Sequence, residues 1–300
     1  RRRWKKARER CVRFSLEKAE RRISVFKMRT RKRIADAFTY AALILISLFF
    51  LLPILWVLRT SLVTKQIAYQ IPPDWSAPFT LDNYITIFSE NNFGQYFLNS
   101  LIVSLASTLI SIALGSMAAY WLARRKSKGI GLRVGVLSVQ MLPAIVLVIP
   151  LFNVMTNIGL KNTHLGLIIT YLSFNLPYVI WMLLSFIESV PEELDDAAEI
   201  DGCSKFQTYA RVVFPIIAPG IIAAGVLSFL NSWNEFMFAL VLTGNETRTI
   251  PVSVAAMETQ QGVQIAELCA SVIVVIIPVA VLSLFVRKYL VRGLAFGSIK

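Results

Sequence analysis

The sequence predicts an all-α membrane protein with about six transmembrane helices, and three observations carry that prediction. Of its 300 residues 56% are hydrophobic and the mean hydropathy is +0.61, too apolar for a water-exposed domain of this size. Six apolar runs, at 37–58, 98–123, 134–156, 165–187, 215–242 and 267–286, are each long enough to cross a hydrocarbon core of about 30 Å. Basic residues gather at the ends that the positive-inside rule assigns to the cytoplasm.

The chain opens on a basic arm, residues 1–35. Its first 33 residues hold sixteen Lys and Arg against three Glu, a balance equal to the net charge of +13 for the whole chain. Val12, Leu16, Ala19, Ile23 and Phe26 recur at three- and four-residue steps with bases between them, the pattern of an amphipathic helix lying on anionic lipid. Nucleic acid is the competing partner for such an arm, but a bilayer beside the first span is nearer. A cleaved signal peptide is not expected, because the basic part is too long and the first apolar run is of span length.

Residues 36–300 form the membrane domain. In its second span Ser107, Ser111, Gly115 and Ala119 repeat every four residues, a smooth face on which another helix can pack closely. Arg124, Arg125, Lys126 and Lys128 follow that span, and with Arg287 and Lys288 after the sixth they place both termini in the cytoplasm. Pro143 and Pro150 are expected to bend or break the third span. His164, the single histidine, falls at an outer boundary and reads as an interfacial residue. The fifth span contains the notable acid, Glu235, within Asn231-Ser232-Trp233-Asn234-Glu235-Phe236. Two roles are open to it: an interhelical hydrogen bond, or the lining of a polar passage.

Between the fourth and fifth spans, residues 188–214 depart from this apolar pattern. Seven acids (Glu188, Glu192, Glu193, Asp195, Asp196, Glu199, Asp201) stand against Lys205 and Arg211. Ser189-x-x-Glu192, with Pro191 in the first turn, reads as a capping box, and Gly202 as the left-handed residue that ends the helix. Ser204-x-x-Gln207 offers a second capping box leading towards Pro215. The predicted form is two short helices joined by a tight turn at Gly202, with Ala197, Ala198 and Gly202 on roughly one side so that another surface can approach. A solvated acidic connector is the plain alternative, and the two capping boxes with a helix-ending glycine weigh against it.

The order Asp196-Ala197-Ala198, three residues, Gly202, nine residues, Val212-x-Phe214-Pro215 resembles the EAA loop of ABC-importer membrane subunits, Glu-Ala-Ala followed at the same spacing by Gly and Ile-x-Leu-Pro. Asp, Val and Phe are conservative departures. With Trp233-Asn234-Glu235-Phe236 and the ending Arg287-x-Tyr289-x-x-Arg292-Gly293-Leu294-x-x-Gly297, residues 36–300 resemble the shorter permease subunit of carbohydrate importers of the maltose-permease type.

That resemblance implies an ABC type I importer permease fold carrying an oligosaccharide across a prokaryotic inner membrane. It implies a second permease subunit, two ATPase subunits that bind ATP and Mg, and an extracytoplasmic binding protein, with no cofactor on this chain. Glu193, Asp196, Ala197, Ala198, Gly202 and Pro215 would belong to the ATPase-coupling hairpin. Gly293 and Gly297 would let the tail bend between the ATPase subunits. Asn245 and Gly262 would lie in the loop over 244–266 that meets the binding protein. Trp233, Asn234, Glu235 and Phe236 would border the substrate pathway, where amides and carboxylates bond hydroxyls and aromatic faces stack on sugar rings, although in relatives the sugar site sits mainly on the partner permease.

Several function classes are disfavoured. There is no Gly-x-x-x-x-Gly-Lys-Ser/Thr loop and no Ser/His/Asp or Cys/His set, and Cys11, Cys203 and Cys269 lack metal-ligand spacing, so neither catalytic residues nor a metal site is expected. Deep acids and bases, which an ion-coupled carrier needs, are almost absent. Within the importer class a polyol, glycerophosphodiester or acidic oligosaccharide cargo stays open.

Overall fold

The computed structural model describes residues 35–125, 130–259 and 262–297. The arm expected over residues 1–34, the bases Lys126 and Lys128, and the last three residues lie outside the described residues, as do the side chains of the terminal motif from Arg287 onward. The chain divides into two units, residues 1–57 and 58–300. The first holds most of α1 (Ala35–Ser61), 27 residues of strongly apolar helix. Phe38, Phe49 and Phe50 on it are all more than two-thirds exposed, which suits lipid rather than water as the surrounding solvent.

The second unit begins with two short helices, α2 (Lys65–Ala68) and α3 (Asp82–Ser89), followed by the long α4 (Phe93–Ala123). Next come α5 (Ile130–Gln140), α6 (Ala144–Asn157), α7 (His164–Glu188) and α8 (Glu193–Ile200). Then α9 spans Lys205–Ile216, with a π-helical turn at Tyr209–Val213, and α10 spans Ala218–Trp233. Two short helices, α11 (Met237–Leu242) and α12 (Ile250–Ala255), and a two-stranded hairpin, β1 (Glu258–Thr259) with β2 (Gly262–Val263), precede α13 (Ile265–Gly297). That hairpin is the only departure from all-α among the described residues.

Four helices are long and apolar enough to cross a membrane, and two bent pairs bring the number to six if each pair is one span. Of the two bent pairs, the third span breaks as its prolines lead one to expect, and the fifth departs from the single run expected. The third predicted span is α5 and α6 meeting at 93°, with Pro143 at the start of α6 and Pro150 accommodated inside it. Proline has no N–H to continue the ladder, so the chain breaks ahead of Pro143. The fifth span, expected as one run over 215–242, starts at Ala218 after an 81° bend, stops at Trp233 and resumes as α11. Pro215 and Pro219 flank that bend, each withholding a donor where the direction changes. The helix α13 continues through Gly293 to Gly297, and the residues beyond it lie outside the described ones.

The packing centre is α4 against α7, with α10 laid across both. At the end near α8, Ala119, Val179, Leu183, Val213, Ile217 and Ala224 form one buried cluster. Farther along, Val103, Leu167, Tyr171, Phe238 and Leu242 form a second, and Phe93, Phe229, Trp233, Ile250 and Ala270 a third. The four-residue stripe Ser107, Ser111, Gly115 and Ala119 is buried along its whole length, and a Cβ on Gly115 would stand 2.8 Å from Val179 Cγ1. Between the three helices, Asn175 Nδ2 donates to Ser232 Oγ at 2.6 Å, and that hydroxyl lies 3.0 Å from Ser107 Oγ. Apolar lipid gives no hydrophobic incentive for helices to associate, so close backbone approach and such polar contacts hold the bundle.

The tightest approach of a glycine to a side chain is at Gly220, where a Cβ would fall 2.5 Å from Phe186 Cγ. A ring held between packed helices has little room to yield, and overpacking of this kind costs about 1–3 kcal/mol. Gly220→Ala is therefore expected to lower the thermal midpoint of the purified protein in detergent; an unchanged midpoint would mean that the α7–α10 contact is looser than described.

Candidate functional site

The acidic segment folds as a helical hairpin, and its turn chemistry follows the sequence closely. Gly202 has φ +84°, the left-handed conformation that favours glycine, and Cys203 N closes the helix end on Ala198 O at 2.9 Å. Ser204 and Gln207 cap α9 reciprocally: Gln207 N donates to Ser204 Oγ at 3.3 Å and Ser204 N to Gln207 Oε1 at 2.8 Å. The first capping box is not formed. Ser189 ends α7, its hydroxyl donating to Phe186 O at 2.6 Å, and α8 starts at Glu193 behind Glu192. As the C-cap of α7, Ser189 turns its hydroxyl back onto that helix and not towards α8.

The three small residues do not share a face either. Ala198 is buried against the bundle together with Asp195, whereas Glu193, Asp196, Ala197 and Gly202 are exposed, alongside Ile200 at 87% and Phe206 at 61%. An inward pair at 195 and 198 with 196, 197 and 200 outward is what a helix with a single buried edge must give. Pro215 is exposed and lies at the bend that ends α9.

The sequence reading missed the residues that hold the hairpin in place. Arg124, at the end of α4, donates from Nε to Asp195 Oδ2 at 2.7 Å and from Nη2 to Oδ1 at 3.3 Å. Its Nη1 reaches Val190 O at 3.2 Å and Ile187 O at 3.5 Å, satisfying carbonyls where α7 ends. Tyr120 OH donates to the same Asp195 oxygen at 2.9 Å, and Ser116 Oγ lies 2.7 Å from Tyr209 OH on α9. Ser116, Tyr120 and Arg124 are four residues apart, one edge of α4 gripping both arms of the hairpin. Lys205 and Glu199 stand 4.0 Å apart with both side chains largely exposed, so that pair contributes at most ~1 kcal/mol, while the Arg124–Asp195 pair, nearly buried, anchors the hairpin. A cavity of about 520 Å³ opens beside it, bordered by Trp121, Arg125, Glu192, Asp196, Glu199 and Phe206.

Glu235 is held in the gap between α10 and α11. Its Oε1 accepts from Phe238 N at 2.9 Å, and its Oε2 accepts from Ala239 N at 3.1 Å and from Tyr171 OH at 3.0 Å. Both carboxyl oxygens thus cap the first turn of α11. Each backbone N–H left unpaired there would cost about 1–3 kcal/mol, so this capping outweighs a single bond to a passing hydroxyl. Trp233 is 1% exposed and packs on Phe229. Asn234 and Phe236 are exposed, and Asn234 and Glu235 border a cavity of about 370 Å³ between α5, α6, α7 and α10.

At the far end of the bundle, residues 244–249 are pinned to α4 and to the loop between α6 and α7. Asn162 Oδ1 accepts from Gly244 N and from Thr247 Oγ1, both at 2.6 Å, and Asn99 Nδ2 donates to Glu246 O and Arg248 O. His164 Nε2 lies 2.9 Å from Asn99 Oδ1. Asn245 bonds Arg248 Nη2 at 2.9 Å, and Gly262 pairs with Thr259 across the small hairpin. Lys65 Nζ stands 2.5 Å from the buried Glu267 Oε1, and hydrogen bonding to that carboxyl raises the pKa of Lys65 above the ordinary lysine value. No group of three or more His, Cys, Asp or Glu suited to a metal occurs among the described residues.

Apolar helices of span length with a braced polar hairpin at one end are the architecture of a membrane-embedded protein. Residues 111–293 match the family described as the binding-protein-dependent transport system inner membrane component, and the chain belongs to that family. It is thus a multi-pass protein of the inner membrane. Its relatives include the sulfoquinovosyl glycerol transport system permease protein of Agrobacterium fabrum, 37% identical over 83% of this chain and 89% of that protein. The trehalose transport system permease protein of Mycobacterium tuberculosis is likewise 37% identical, over 83% of this chain and 92% of its own length. Among solved structures, a bacterial ABC transporter that imports the acidic polysaccharide alginate matches with a TM-score of 0.70, over 86% of this chain and 96% of that one. At 20% identity it establishes a shared fold.

Two outcomes follow from this geometry. Asp195→Ala leaves the Arg124 guanidinium nearly buried without its carboxylate, a change worth about 3–5 kcal/mol, so hydrogen exchange over 193–200 should quicken markedly; unchanged protection would show that apolar contacts alone hold α8. Glu235→Gln keeps acceptors for α11 and is expected to preserve the thermal midpoint far better than Glu235→Ala, which strips both; equal losses would deny the capping role.

Proposed function

We propose that this chain is the permease subunit of an ATP-driven carbohydrate importer, carrying an oligosaccharide into the cytoplasm. The observation that carries the reading is the hairpin itself: a rigidly capped α8–α9 unit, acid-rich and apolar on its outward face and clamped by Arg124 to the main packing helix. The names of the trehalose and trehalose/maltose relatives support the cargo class.

In this reading the hairpin end faces the cytoplasm, where Arg124, Arg125 and Arg133 satisfy the positive-inside rule, and both termini lie on that side. The partners are a second permease, two ATPase subunits that hold ATP and Mg, and an extracytoplasmic binding protein; one solved relative is an alginate transporter in complex with its periplasmic protein. Glu193, Asp196, Ala197, Ile200 and Gly202 seat in a cleft of the ATPase. Closure of the ATPase dimer on ATP draws the seated hairpins together, and because α8 is tied to α4 as well as to its flanking helices, the bundle moves as a body from inward- to outward-facing. Hydrolysis resets it. The far-end loop carrying Asn245 and Gly262 meets the binding protein, and the end of α13 with Gly293 and Gly297 approaches the ATPases.

Purification from the native membrane in mild detergent, followed by mass spectrometry, is expected to recover a P-loop ATPase and a second multi-span permease. Ala197→Arg, on the exposed face of α8, is expected to leave insertion and permease pairing intact while ATP-driven uptake falls by at least about tenfold, since an unpaired charge pressed into a docking site costs several kcal/mol. A chain that is stable alone and transports without ATP would overturn the reading.

A further inference from the structure

Two interruptions of the helical backbone meet at one cavity. Gln140 closes α5 immediately before the 93° break, and Asn231 and Asn234 stand where α10 gives way to α11. Together with Tyr178 and the rings of Phe174 and Phe238 they border the space of about 370 Å³. That volume lies at the small end of ligand sites, about 300–1,000 Å³. Discontinuous helices gather at the substrate sites of membrane transporters because a break brings polar backbone and side chains to a depth where unbroken helix shows only apolar ones.

The chemistry of the lining is selective. Gln140 and Asn231 are exposed, and among the described residues neither side-chain amide has a hydrogen-bond partner. Asn234 donates from Nδ2 to Leu230 O at 2.9 Å, which leaves its carbonyl oxygen available. Each amide can both donate and accept, as a hydroxyl requires. Phe174 and Phe238 lie parallel within 8°, their centroids 6.1 Å apart, an apolar wall for the C–H face of a ring. No Lys, Arg or His lines the space, and the one acid, Glu235, has both oxygens committed to the start of α11.

We propose that this cavity is a binding subsite for an uncharged, hydroxyl-rich ligand, a neutral glycoside, supplied by this chain itself and not only by its partner permease. The proposal rests on the importer reading and narrows its cargo. A sulfonate or carboxylate entering the cavity would lose its hydration with no cation to replace it, beside the Glu235 carboxyl. The amides of Gln140 and Asn231, by contrast, can exchange hydration for ligand hydroxyls without giving up a bond within the chain.

The test is ATP-driven uptake into proteoliposomes containing the whole complex and its binding protein. Trehalose and maltose serve as neutral probes, and sulfoquinovosyl glycerol and alginate pentasaccharide as anionic ones. Uptake of a neutral probe is expected, with kcat/KM reduced about tenfold by Asn231→Ala and by Gln140→Ala while assembly and ATPase turnover hold. Should an alanine variant fail to assemble, Asn231→Ser and Gln140→Ser, which retain a hydrogen-bonding oxygen, are expected to show a smaller reduction of the same kind. Uptake of an anionic probe, uptake of none, or a neutral-probe kcat/KM unchanged in the variants overturns the proposal. Uptake that proceeds without ATP overturns the importer reading beneath it, a distinct result.

Discussion

Hydrocarbon cannot solvate a free backbone amide or carbonyl, and the rest of this structure depends on that constraint. The chain nevertheless breaks its helices at several places, and several of the resulting ends are closed by a side chain or, at Gly202, by the backbone of the turn itself. Glu235 accepts from two amides at the start of α11. Arg124 covers carbonyls where α7 ends. Ser204 and Gln207 close the start of α9, and the left-handed Gly202 closes the end of α8. The prolines mark where a donor is missing, and the polar side chains mark where the resulting debt in hydrogen bonds is met.

This division explains why α4 is the spine of the bundle. Along its inner edge, serines and a glycine allow α7 and α10 to come close, and near the hairpin the same helix changes from packing to gripping through Ser116, Tyr120 and Arg124. A displacement of α8 is therefore delivered to α4 through an almost buried ion pair as well as to α7 and α9 through the covalent chain. A hairpin held only by its connections could tilt without moving the spans. One clamped to a third helix carries that helix with it.

Much of the hairpin could be read from local chemistry, because turns are decided by their own residues. Gly202 needs a left-handed backbone, and a Ser with a Gln three residues later satisfies two donors, whatever surrounds them. Ser189 misled the reading since the same signature competes with continuation of α7, and packing of that helix decides between them. Asp195 was indistinguishable from its six acidic neighbours, for nothing within the hairpin announces that Arg124, seventy-one positions earlier, will stand opposite. Glu235 could be singled out as an acid in an apolar run, but its purpose depended on where α10 ended. Gln140 drew no notice because the partner of its importance, the break at Asn234, is remote in sequence.

Alone, the sequence determined that the chain spans a membrane about six times, which of its segments is polar, and how the hairpin turns. Hydropathy and turn chemistry are properties of short stretches, additive and blind to distant neighbours. Only the tertiary structure decided that span five is broken, that Ala198 and Asp195 face inward while Ala197 faces out, and that both Glu235 oxygens cap the start of α11. Those outcomes depend on which helices lie alongside one another, because a buried polar group is tolerable only where a partner from elsewhere in the chain stands within hydrogen-bonding reach.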